Sequence, residues 1–131
     1  MQTEGENRPI ALVVEDAEQS ASLLRSILER EGYKVALAHD GDHAQRLVGV
    51  LEPPALVMLD VLLPYVDGFR LLSLMREKTA WKNVPIVMLT GKSQEKDIVR
   101  ALEAGANDYI VKPFHLDELR ARIKRLVKRD T

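Results

Sequence analysis

Two adjacent acids, Glu15-Asp16, follow directly on the apolar run IALVV (Ile10 to Val14), and a third acid, Asp60, closes the run ALVMLD. Thr90 ends another such run, PIVMLT, and Lys112-Pro113 follows the short stretch DYIV. An unpaired carboxylate is costly to bury, so Asp60 must either emerge at a strand mouth or meet a positive charge. If folding gathers these groups, the carboxylates repel one another, and without compensation at least one has its pKa raised. Lys112 offsets one of the three negative charges and a divalent cation would offset the rest. Carboxylate oxygens are hard ligands that favour Mg²⁺ or Mn²⁺ over zinc. Such an ion, with a lysine and a hydroxyl, can hold the equatorial oxygens of a phosphoryl group. A carboxylate beside that equipment can act as the nucleophile and become an aspartyl-phosphate.

The elements that must position these groups alternate along the chain. Ile10 to Val14 and Ala55 to Asp60 read as strands buried on both faces, as does Pro85 to Thr90. Lys34 to Ala38 (KVALA) is a weaker strand suited to a sheet edge, and Asp108 to Val111 is a short fifth. Between them, Leu23, Leu24, Ile27 and Leu28 recur at helical spacing up to Gly32, and Ala44, Leu47, Val48 and Leu51 do so up to Pro53-Pro54. Asp67-Gly68 opens a third helix carrying Phe69, Leu71, Leu72 and Met75; Glu95 to Ala104 forms a fourth, ended by Gly105. Leu116, Leu119, Ile123 and Leu126 mark the last. This alternation predicts an α/β fold: a doubly wound parallel sheet with helices on both faces and right-handed crossovers. In such a sheet, ligands bind outside the carboxyl ends of the strands, which is where all the polar groups above fall.

Composition narrows the function classes. The chain has 131 residues, enough for one domain, with 46% hydrophobic and 30% charged residues. A net charge of −1 supplies no global field for nucleic acid or anionic lipid. The absence of cysteine removes disulfides and thiolate chemistry and suits a cytoplasmic setting. The opening MQTEGENRP lacks the apolar core of a signal peptide and reads as a flexible tail over residues 1–9, with one domain over 10–131.

Four stretches, VVEDAEQ, MLDVLLPYVDGF, PIVMLTGKS and GANDYIVKPF, together resemble the receiver domain of two-component response regulators, from about Ile10 to Lys128. The resemblance implies a flavodoxin-like, five-stranded sheet in order 2-1-3-4-5. It implies phosphorylation of Asp60 by a histidine kinase or phosphotransfer protein, followed by slow autodephosphorylation. By the same analogy Glu15, Asp16, Asp60 and the backbone carbonyl of Leu62 bind Mg²⁺, while Thr90 and Lys112 contact the phosphoryl group. Tyr109 is the aromatic that changes rotamer with Thr90. Lys112-Pro113 is expected to be cis. Leu62 and Lys92 occupy positions that tune the lifetime of the acyl phosphate. The face of helix 4, strand 5 and helix 5 is the expected output surface and dimerises in the transcription-factor subfamily. Here that face offers Glu103 and Asp108 against Arg122 and Lys124, with Ile98 where a basic residue is usual.

Other classes fit less well. A haloacid dehalogenase-type phosphatase would carry its nucleophile on the first strand and a cap for substrate. A phosphate-independent module of this shape usually lacks a site residue, and an FMN carrier would not place Glu15-Asp16 where a phosphate must sit. His39 and His43 are four apart but flank Asp40-Gly41, a loop signal, with no third ligand nearby. Trp81 reads as surface packing, and Arg120, Arg122, Lys124, Arg125, Lys128 and Arg129 read as a solvated basic face. Both a stand-alone regulator and a fragment of a larger one fit the chain.

Overall fold

The computed structural model describes residues 7–63, 66–91 and 95–126. Lys92, Lys128 and Arg129, discussed above, lie outside the described residues, as do residues 1–6 of the tail. The apolar runs become strands that are covered on both faces. β1 (Ile10–Val14) is buried from Ala11 onward, and β3 (Leu56–Asp60) and β4 (Ile86–Thr90) are buried throughout. β2 (Lys34–Ala38) and the four-residue β5 (Asp108–Val111) form the edges. All pairings are parallel and the order is β2-β1-β3-β4-β5, as the resemblance implies.

Among the described residues, five helices cover this sheet: α1 (Glu18–Arg30), α2 (Gly41–Val50), α3 (Gly68–Glu77), α4 (Glu95–Glu103) and α5 (Leu116–Leu126). Side chains alternate across a strand, so each strand feeds two cores. Leu12, Val14, Val57, Leu59, Ile86 and Met88 pack with residues of α2, α3 and α4. Ala11, Val13, Leu56, Met58, Val87 and Leu89 pack with Leu24, Ile27 and Leu28 of α1 and Leu119 and Ile123 of α5. Asp40 and Asp67 cap α2 and α3, their Oδ1 atoms accepting from the backbone N–H groups of His43 (2.7 Å) and Arg70 (2.9 Å). Gly32 (φ 98°) and Gly105 (φ 112°) supply the left-handed residues that follow α1 and α4.

Two expectations are corrected. Leu23 is 51% exposed, and Ala21 takes its place on the buried stripe of α1. Trp81 is not at the surface: it is 1% exposed, because a 3₁₀ turn over Thr79–Trp81 folds the indole into the core.

Arg76, in the last turn of α3, ties together the end of the sheet remote from the strand mouths. Its guanidinium donates to the carbonyls of Gly105 (2.9 Å), Trp81 (3.0 Å) and Val84 (2.8 Å), and to Asn107 Oδ1 (2.8 Å). Asn107 Oδ1 also accepts from the N–H of Ile86 at 2.8 Å, so the clasp reaches the first residue of β4. Arg76→Met keeps the aliphatic stem and orphans these acceptors, each costing about 1–3 kcal/mol where buried. It is expected to lower unfolding free energy by about 2–4 kcal/mol in urea titration. A loss below about 0.5 kcal/mol, the range of ordinary surface substitutions, would show that the clasp carries no stability.

Candidate functional site

The strand register brings the polar ends level. Val14 pairs with Leu59, Asp60 with Leu89, and Thr90 with Val111. Glu15 therefore leaves β1 beside Asp60, while Thr90 and Lys112 leave β4 and β5 alongside. Glu15 and Thr90 are fully buried and Asp60 is 5% exposed, whereas Asp16 faces solvent. Ligand oxygens of Glu15, Asp16 and Asp60 all lie within 4.8 Å of one another, the one such group of potential metal ligands among the described residues.

The two buried carboxylates are held. Lys112 Nζ donates to Asp60 Oδ2 at 3.0 Å and to Glu15 Oε1. Asp60 Oδ1 accepts from the N–H of Leu62 and Glu15 Oε2 from that of Ala17, both at 3.1 Å. The backbone N–H of Lys112 donates to the carbonyl of Thr90 at 2.6 Å, and Lys112-Pro113 is cis. Leu62 is 55% exposed just past the acid. Tyr109 is 8% exposed and hydrogen-bonded to Thr90.

Sequence reading missed Gly68. A Cβ there would lie 2.2 Å from the carbonyl oxygen of Asp60 and 2.7 Å from Cα of Val61. The glycine lets the first turn of α3 pack directly under the acid, and its N–H donates to the carbonyl of Val61 at 2.9 Å. The Asp-Gly pair signalled a helix start, but a close approach between two backbones leaves no further trace in sequence.

The electrostatics follow from burial. Glu15 is pushed up from 4.5 to about 7, first by burial and then by the neighbouring Asp60, against the pull of Lys112 and the Ala17 N–H. Burial alone would lower Lys112, but hydrogen bonds and charges from Glu15 and Asp60 outweigh it and hold the ammonium above its ordinary value. Tyr109 is raised by burial and by the charge of Asp97, against its hydrogen bond with Thr90. The group thus retains an ammonium across the physiological range and an excess of hard anionic oxygens, which suits a small divalent cation.

The response regulator receiver domain family matches residues 11–124, and the chain belongs to it. It is 43% identical over 118 residues to the alkaline phosphatase synthesis transcriptional regulatory protein PhoP of Bacillus subtilis, covering 90% of this chain and 48% of that one. It is 43% identical over 122 residues to the phosphate regulon transcriptional regulatory protein PhoB of Rhizobium meliloti, covering 92% and 53% respectively. The chain thus spans about half the length of these relatives. The receiver domain of the sensor histidine kinase PA1611 of Pseudomonas aeruginosa, solved with a magnesium ion in its active site cleft, superposes with a TM-score of 0.83. It shares 30% identity, with coverage of 93% of this chain and 99% of that one. Receiver domains act with histidine kinases. No helix among the described residues is long and apolar enough to cross a membrane.

Folded Glu15 keeps its proton to about pH 7, while the unfolded residue loses it near 4.5. Between those values the folded chain binds more protons, so this group's contribution to stability falls as pH rises. Glu15→Gln removes that dependence. In chelator-treated buffer the variant is expected to gain on the parent by on the order of 1–3 kcal/mol between pH 5 and pH 8, read from urea midpoints. A difference that stays constant over that range would contradict the assignment.

Proposed function

We propose that the chain is a phosphoryl-accepting switch in which Asp60 takes a phosphoryl group from a histidine kinase or phosphotransfer protein in an Mg²⁺-dependent reaction. The observation that carries this reading is the ammonium of Lys112 set between Asp60 and Glu15, with Asp16 completing an acidic group at the strand mouths. Glu15, Asp16 and Asp60 would hold the ion, with the carbonyl of Leu62 as a further ligand by family resemblance. The bound cation supplies charge neutralisation for the phosphoryl oxygens.

The chain's own groups account for the rest. An oxygen of Asp60 attacks phosphorus, the bond from phosphorus to the donor imidazole breaks, and the imidazole leaves as the Asp60 acyl phosphate forms. Lys112 stabilises the negative charge on the transferring group. Thr90 donates its hydroxyl to a phosphoryl oxygen, and Tyr109, hydrogen-bonded to Thr90, reports the state of the site to the surface. Attack of water on the acyl phosphate later releases inorganic phosphate and restores the carboxylate. A cytoplasmic location fits this partner chemistry.

The output surface is α4, β5 and α5. Its charges are more committed than the sequence suggested. Arg122 donates to both oxygens of Asp108 at 2.9 and 3.0 Å and to Glu118 at 3.3 Å, and Arg125 lies 3.6 Å from Asp108. A homodimer through this face must exchange these intrachain pairs for interchain ones, so its charges add little net affinity. Apolar Val99 and Leu102, 43% and 47% exposed, are left to supply it.

Incubation with acetyl phosphate and Mg²⁺ should label the parent chain on Asp60, and Asp60→Asn, nearly isosteric but a poor nucleophile, should lose the label while keeping its fold. Label retained by that variant and mapped elsewhere would overturn the assignment. Sedimentation with Mg²⁺ and beryllofluoride is expected to strengthen a weak dimer through a coupling of about 1–3 kcal/mol. A monomer at high concentration in both states would replace dimerisation with adaptor binding as the output.

A further inference from the structure

The first residue of α2 lies against the connection between β3 and α3. A Cβ on Gly41 would sit 2.2 Å from the carbonyl oxygen of Val66 and 2.6 Å from its Cβ. Atoms that are not bonded repel strongly at such distances, so any side chain at this position must push one of the two segments aside. The closeness is particular to this end of the helix. Gly49, near the other end of α2, has nothing within 4 Å of the equivalent position.

The start of α2 is the less yielding of the two segments. The carbonyl of Ala38, the last residue of β2, accepts from the N–H of Glu15 at 3.0 Å, and only His39 and Asp40 separate that strand from the helix. Asp40 caps the helix, Ala44 is fully buried, and Lys78 Nζ donates to the carbonyl of Val48 at 2.8 Å. In the β3–α3 connection, by contrast, Leu62 and Asp67 face solvent, and Leu63 and Val66 are only partly buried against the core. That connection nevertheless reaches the site directly, because the N–H of Leu62 donates to Asp60 Oδ1 at 3.1 Å. Its far end cannot retreat. The N–H of Gly68 is bonded to the carbonyl of Val61 at 2.9 Å, and Gly68 is itself pressed against the carbonyl of Asp60. A push at Val66 is therefore passed back along the connection towards Leu62.

We propose that Gly41 is a positioning residue for Asp60. Lacking a side chain, it lets the first turn of α2 brace Val66, and the braced connection holds the Leu62 N–H on the acceptor carboxylate. It touches neither a metal ion nor a phosphoryl group. The consequence for Mg²⁺ rests on the reading of Asp60 and Leu62 proposed above, whereas the brace is a property of the folded chain alone.

The test compares the parent with Gly41→Ala, Gly49→Ala and Val66→Ala by NMR of the whole isotope-labelled chain. In chelator-treated buffer, Gly41→Ala is expected to speed amide exchange at Leu62 by roughly tenfold, as a local opening does. Titrated with Mg²⁺ alone, its apparent affinity, read from the amide shifts of Asp60 and Leu62, is expected to fall roughly tenfold, the lower end for residues that orient a ligand without touching the ion. Gly49→Ala is expected to match the parent in both measurements. Val66→Ala trims the braced side chain without introducing a clash and is expected to speed Leu62 exchange by less. Parental exchange and Mg²⁺ affinity in folded Gly41→Ala would show that α2 gives way instead, and would overturn the proposal. Faster exchange with unchanged Mg²⁺ affinity also overturns it, as does exchange raised equally throughout β3 and β4. If Gly41→Ala does not fold, parental Leu62 exchange in Val66→Ala overturns it. A parent whose Asp60 and Leu62 signals do not respond to Mg²⁺ refutes the metal-dependent reading instead, and the exchange measurements in chelator still decide the brace.

Discussion

The ammonium of Lys112 is the interaction on which the site depends. It reaches Glu15 across a separation of 97 residues and Asp60 across 52, joining the ends of β5, β1 and β3. Two carboxylates as buried as these would be costly to ionise side by side without it. The lysine can sit there because the register sets the strand ends level and because its own N–H is fixed to the Thr90 carbonyl. Its position just past the short edge strand leaves its side chain 22% exposed, within reach of solvent and of an incoming group.

One cation does not balance three acids, and Glu15, pushed up first by burial and then by the neighbouring Asp60, holds its proton to about pH 7. Such frustration is typical of functional sites, where local rules of burial are broken and the surrounding fold compensates. Compensation is visible here. β3 and β4 beneath the site are fully buried, and Gly68 lets α3 close against the Asp60 carbonyl. The far end of the sheet is clasped by Arg76.

Charge is also distributed unevenly over the surface. The bases of α5 are not a loose solvated stripe. Arg120 and Lys124 pair with Glu31, which caps the end of α1, and Arg122 and Arg125 with Asp108 of β5. These pairs tie α5 to its neighbours, so a partner meeting that face meets charges already neutralised. On α4, Arg100 lies over the ring of Phe69 instead.

The strands, their parallel arrangement and the acids at their mouths were legible in the sequence because each leaves a local mark. A strand buried on both faces must be an unbroken apolar run, and a polar residue at its end stands out against it. Caps at Asp40 and Asp67 and the glycine stops are local in the same sense. What only the tertiary structure decided has partners without a sequence signature. Arg76 binds mainly backbone carbonyls, which every residue carries; Gly68 answers to a neighbouring backbone that comes too close for a Cβ. Trp81 looked superficial because it lies in a connection, and only the 3₁₀ turn carries it into the core. The pairing of the α5 bases depended on which helix and which strand lay opposite. Hydrophobic period and chain punctuation are written residue by residue, whereas the partner of a charge or a close backbone contact is chosen by packing between distant segments.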